Sequence, residues 1–89
     1  MPESSDSITL SGDLHARPAG ALAVAAAKFA ADVSLTVGER TANAKSVLAV
    51  MGLGATSGQK VTATAAGPDA EQAVAAVIAI LADATKVGG

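Results

Sequence analysis

From Asp32 to Val37 the chain alternates without a fault: Asp32, Val33, Ser34, Leu35, Thr36, Val37. A period of two marks a strand with one face buried. Gly38-Glu39 follows as a two-residue turn led by glycine, and Arg40 to Asn43 makes the returning strand. The same alternation recurs from Lys60 to Ala66, and in shorter form in Ser7-Ile8-Thr9-Leu10. Residues 1–6 are polar and acidic and are expected to be a frayed tail. Between these stretches the apolar spacing lengthens to that of a helix. Leu22, Ala26 and Phe29 share one face of a helix expected from about Ala16 to Ala30, with Pro18 in its first turn, where a missing N–H is harmless. Val74, Val77, Ile78 and Leu81 form the core stripe of a last helix from about Ala70 to Thr85. Asp69 is placed to cap that helix, with Gln72 three residues on completing a pair like a capping box, and Lys86 and Gly88 suit its end. Ser46 precedes VLAVMGLG and reads as the N-cap of a short helix ended by Gly52 or Gly54.

The order is therefore β-α-β-β-α-β-α. It lacks the regular rhythm of a wound parallel sheet. The economical α+β solution is a four-stranded antiparallel sheet carrying three helices on one face. No repeat or linker divides residues 1–89, so one domain is expected. About a quarter of the residues are alanine, so the core must be thin. The absence of Trp and Tyr argues against a sugar-stacking or base-stacking surface. A net charge of −2 and the lack of a basic stripe disfavour nucleic acid and anionic membrane as partners. With no cysteine and one histidine, neither a disulfide framework nor a zinc site is expected, and nothing calls for a cofactor. The N-terminal MPESSDS lacks the order of a signal peptide, and the apolar runs are too short to span a bilayer, which suits a cytoplasmic protein.

Chemistry concentrates in GDLHARPAGALAVAAAKFA, residues 12–30, where the only histidine, His15, stands beside Arg17, one of two arginines. A helix start leaves backbone N–H groups unpaired and carries about half a positive charge, which favours anions and phosphate above all. Arg17 adds a planar fork matched to phosphate oxygens. An imidazole over those amides is disfavoured as a cation, so its pKa is expected below the usual value of about 6.5. A neutral ring is a nucleophile toward a phosphoryl donor. Phosphoryl transfer needs positioning and charge neutralisation more than covalent machinery. A small domain with no general base or metal therefore suits a carrier rather than an enzyme that turns over alone. The same spacing also fits an exposed or capping histidine and a solvated arginine.

LHARPA, Leu14–Ala19, closely resembles the active-site signature of the HPr family, the histidine-containing phosphocarriers of the bacterial phosphoenolpyruvate-dependent sugar phosphotransferase system. The similarity continues through AKSVLAVMGLG at Ala44–Gly54 and SGQKVTATAAGPDAEQAV at Ser57–Val74, covering nearly the whole chain. The resemblance implies an open-faced β-sandwich. It implies that His15 carries the phosphoryl group, on Nδ1 in this family, received from Enzyme I and passed to an Enzyme IIA domain. Arg17 would neutralise that group, and the turn at Ala16, Arg17 and Pro18 would bind it, with Pro18 only shaping the turn. Ser46 corresponds to a regulatory serine phosphorylated in some members by a dedicated HPr kinase/phosphorylase. Val47, Leu48 and Met51 correspond to an apolar docking surface; the alternative is that all three are core. A monomer is expected.

Several positions depart from the family pattern. Asp13 stands where glycine is usual, and a carboxylate there would repel phosphate unless it points outward. Gly20 is unusual in the tail of the signature, and the first strand is weakly marked. Val24 and Ala27 occupy helix positions that frequently carry docking lysines, leaving Lys28, with Lys45 and Lys60 as partial compensation. Binding to acidic partners would then be weaker or differently distributed. Two other roles stay open: a paralogue in a regulatory, nitrogen-related or dihydroxyacetone-kinase phosphotransfer chain, and an interaction module of the same fold that is not phosphorylated.

Overall fold

The computed structural model describes residues 2–12, 14 and 16–84, with the side chains of residues 16, 17, 83 and 84 left aside. Its elements run β1 (Glu3–Thr9), α1 (Ala16–Ala27), β2 (Asp32–Val37), β3 (Arg40–Asn43), α2 (Val47–Gly52), β4 (Lys60–Ala66) and α3 (Ala70–Ala84). The four strands form one antiparallel sheet in the order β1-β4-β2-β3. Alternation along β2 and β4 decides which face is covered. Val33, Leu35, Val37, Val61, Ala63 and Ala65 are buried beneath the helices, and Ser34, Thr36, Thr62 and Thr64 face the other way. On that open face hydroxyls pair across strands, Ser7 with Thr62 at 2.9 Å and Thr36 with Thr41 at 3.3 Å.

Leu22, Leu35, Leu81, Val33, Val50, Val61 and Val77 are the largest fully buried side chains. Alanines such as Ala19, Ala26, Ala63 and Ala73 fill the space between them and let helix and sheet approach closely. Phe29, Ile78 and Leu14 pack half-buried at the edge of this core. Gly38, at φ +59, opens the β2–β3 turn in the left-handed region that glycine enters freely. Among the described residues no helix is long and apolar enough to cross a membrane.

Three local expectations need correction. The strand expected only at Ser7–Leu10 begins at Glu3, and Glu3–Thr9 pairs with β4 along its full length. Its core-side residues, opposite Ala65, Ala63 and Val61, are Ser4, Asp6 and Ile8, so a single apolar residue marks that face. Pairing with β4 overrides the weak pattern. Helix α1 ends at Ala27, short of Ala30. The amides of Lys28 and Phe29 reach back three residues to Ala25 and Ala26, a tightened last turn. Those of Ala30 and Ala31 are claimed by the Asp69 carboxylate, at 2.9 and 2.8 Å. That is also where the capping expectation fails. Asp69 starts α3 through its backbone carbonyl, which accepts from Ala73, while its side chain closes the α1–β2 junction.

Candidate functional site

His15 and Asp13 lie outside the described residues, as do the side chains of Ala16 and Arg17. The frame on either side of them is described. Helix α1 starts at Ala16, immediately after the histidine in sequence, and its first turn holds Pro18, half-buried, followed by buried Ala19. On the other side, the Leu14 amide donates to the Ala55 carbonyl at 3.0 Å, and the Leu14 side chain packs against the core.

Ala55 belongs to a segment that braces Leu10 and Leu14. Gly58 donates to the Leu10 carbonyl at 2.8 Å, and the Leu10 amide donates to the Gln59 carbonyl at 2.9 Å. Gln59 closes this segment on itself: its side-chain Oε1 accepts from the Thr56 amide at 2.8 Å and its own amide donates to the Thr56 carbonyl at 3.1 Å. Where the segment leaves α2, Arg40 Nη1 donates to the Leu53 carbonyl at 3.2 Å, tying the β3 edge to this corner. The sequence does not mark Gln59, Ala55 or Arg40, because Ala55 and Gln59 reach Leu14 and Leu10 through their backbone carbonyls and Arg40 is an ordinary surface arginine until its partner is known.

Ser46 is the N-cap of α2, with extended backbone at φ −108 and a hydroxyl that accepts from the Ala49 amide at 3.3 Å. Only Val50 of α2 is buried; Val47, Leu48 and Met51 are 37%, 83% and 44% exposed, so they are not core residues. Spacings of three and four bring Met51 beside Leu48 and Val47 on the helix surface. Lys45, just before the cap, donates from Nζ to the Phe29 carbonyl at 3.1 Å.

Known proteins share this fold. Residues 3–83 match the family model described as the PTS HPr component phosphorylation site. The chain is 36% identical over 89 residues to the phosphocarrier protein HPr of Mycoplasma capricolum, spanning all of both chains. It is 37% identical over 81 residues to HPr of Vibrio cholerae, covering 91% of this chain and 95% of the other. A solved structure of a Mycoplasma histidine-containing phosphocarrier protein superposes with a TM-score of 0.82 at 35% identity, covering 99% of this chain and 100% of that one. Antiparallel strand order, helices on one face, the LHARPA motif running into the first turn of α1 and a match over nearly the full length together make this chain a member of the HPr family of phosphocarrier proteins.

Proposed function

We propose that the chain accepts a phosphoryl group on His15 from phosphorylated Enzyme I and hands it to an Enzyme IIA domain in sugar uptake. The observation that carries this reading is the position of the chain's single imidazole one residue before the start of α1 in a family defined by its phosphorylation site. In the transfer, the N–P bond on the donor histidine breaks as one forms to the unprotonated ring nitrogen of His15. The released donor imidazole is neutral, and no net proton is required. The amides that open α1 point along its axis with no intrahelical partner. Those of Ala16 and Arg17 take phosphoryl oxygens, and Pro18, lacking an N–H, keeps the turn in shape. The Arg17 guanidinium spreads the remaining negative charge.

Regulation of the same site falls to Ser46. A phosphate there adds a charge of about −1.5 to −2 beside Val47, Leu48 and Met51, an uncharged surface from which a docking partner would be repelled.

The test is incubation with phosphoenolpyruvate and Enzyme I, followed by intact-mass measurement. One acid-labile phosphoryl group is expected on the wild type and none on His15→Ala. Arg17→Ala slows transfer by on the order of tenfold, the scale of one charge-assisted hydrogen bond, while its melting curve stays that of the wild type. A wild type left unlabelled by active Enzyme I, or a His15→Ala chain that is labelled equally, overturns the proposal.

A further inference from the structure

The peptide group between Ala55 and Thr56 is held at both ends. Its carbonyl accepts from the Leu14 amide at 3.0 Å. Its N–H donates to Gln59 Oε1 at 2.8 Å. A peptide unit is planar and stiff, so its carbonyl cannot turn without its N–H. Whatever aims that N–H therefore aims the carbonyl that holds Leu14. The two hydrogen bonds also polarise each other through the peptide, which strengthens both.

The segment from Leu53 to Gln59, between α2 and β4, has no regular structure, and Thr56, Ser57, Gly58 and Gln59 are all exposed. Gly58, at φ +88, takes the left-handed position of a turn that brings the Gln59 amide to the Thr56 carbonyl at 3.1 Å. The same turn returns the Gln59 side chain to the Thr56 amide. The Gln59 backbone carbonyl accepts from the Leu10 amide at 2.9 Å. One residue thus reaches Leu10 directly and Leu14 through the 55–56 peptide. Leu14 precedes His15 in sequence, and its side chain packs against the core. With its amide and its side chain both held, Leu14 sets the direction in which the backbone enters residue 15.

We infer that Gln59 is a positioning residue for phosphoryl transfer: its carboxamide oxygen orients the 55–56 peptide, which fixes Leu14 and with it the backbone that presents the His15 ring. The inference rests on the functional reading above and extends it to a residue outside the phosphate-binding turn. Transfer is steeply sensitive to such placement, since an error of about 1 Å can cost about a hundredfold in rate.

The test compares Gln59→Met with Gln59→Glu. Methionine keeps the length of the side chain but offers only a weak sulfur acceptor, whereas glutamate keeps an acceptor oxygen. Gln59 is exposed, so neither change disturbs the core. Single-turnover transfer from phosphorylated Enzyme I is followed at neutral pH over rising chain concentration. This separates the maximum rate from the half-saturating concentration. Gln59→Met lowers the maximum rate by about fivefold, the scale of one hydrogen bond, and leaves half-saturation within about twofold of the wild type. Gln59→Glu stays within about twofold of the wild type in both. Amide exchange at Leu14 needs no partner protein, and it quickens by about fivefold in Gln59→Met but not in Gln59→Glu. Thr62→Ala removes a hydrogen bond of the same scale, to Ser7 on the open face of the sheet, and leaves the rate unchanged.

An unaltered maximum rate in Gln59→Met overturns the inference. So does an equal fall in Gln59→Glu or in Thr62→Ala. A change in half-saturation alone makes Gln59 a contact of the partner and overturns it as well. A slower rate with unaltered Leu14 exchange does the same, because the effect then bypasses the 55–56 peptide. A wild type that takes no phosphoryl group from Enzyme I instead defeats the functional reading itself, an outcome distinct from all of these.

Discussion

Asp69 shows how a single carboxylate can fix a junction. Its two oxygens accept from the Ala30 and Ala31 amides. The Ala30 hydrogen bond is the main reason its pKa falls below the ordinary 3.8, against the opposing effect of desolvation, and the Ala31 amide, its own amide and the Lys45 charge add to the lowering. Protonation removes acceptor strength from both bonds. The folded-state pKa lies below the unfolded one, so the stabilisation is complete above the unfolded value and is lost as pH falls through the folded value. The wild type should therefore lose melting temperature more steeply than Asp69→Asn between about pH 5 and pH 2, with the two curves converging at the acid end. Parallel curves would mean that Asp69 carries no linked proton. Gly67 reinforces the same junction: at φ +149, a Cβ there would stand 2.6 Å from Ala31 Cα, so the backbones can meet only at glycine.

At the level of elements, α2 has six residues, too few to persist alone in water. It stands because Val50 is buried and because Ser46 satisfies one of its open N–H groups. Ser46→Ala should destabilise the domain by about 1 kcal/mol, and Ser46→Asn by much less, since asparagine caps as well as serine. Equal urea midpoints for wild type and Ser46→Ala would show the cap to be idle. The cap was legible in the sequence, as were β2, β3 and β4, because each has a local signature: a serine before an apolar run, or strict alternation around a turn. Strand β1 was legible only from Ser7 on; its first half, Glu3–Asp6, was not, since the partner that makes it a strand lies more than fifty residues away and the core-side row of β1 is Ser4, Asp6 and Ile8. The end of α1 was hidden for the same reason, being set by a carboxylate that reads locally as a cap for a different helix. Of the candidate-site residues, His15, Arg17 and Ser46 stand out in the sequence as candidates because of their residue types, and the structure describes Ser46 as the cap of α2. The brace through Ala55 and Gln59 consists of hydrogen bonds that only the folded chain brings together.

Across the whole molecule, the sheet order sets what is rigid and what is adjustable. β4 has a partner on each side, β1 and β2, and its Val61, Ala63 and Ala65 are fully buried. Its amides should exchange only on global opening. β3 is the far edge, yet it reaches the segment that leads to His15 through one side chain. Arg40 Nη1 holds the Leu53 carbonyl, two residues before Ala55, and the Ala55 carbonyl holds the Leu14 amide, one residue before His15 in sequence. Removing the guanidinium while keeping the alkyl stem, as in Arg40→Met, frees the 53–55 segment to move off Leu14. Loss of this part-buried hydrogen bond amounts to about 1 kcal/mol, which corresponds to roughly fivefold faster exchange of the Leu14 amide. The Ala63 amide should hardly change, because its opening is that of the whole sheet. Amide exchange followed by NMR separates the cases. Acceleration at Leu14 alone means that the edge strand holds the site through Arg40. Equal acceleration at Leu14 and Ala63 means that Arg40 contributes only to global stability, and no acceleration at either means that the 53–55 segment stays in place without it.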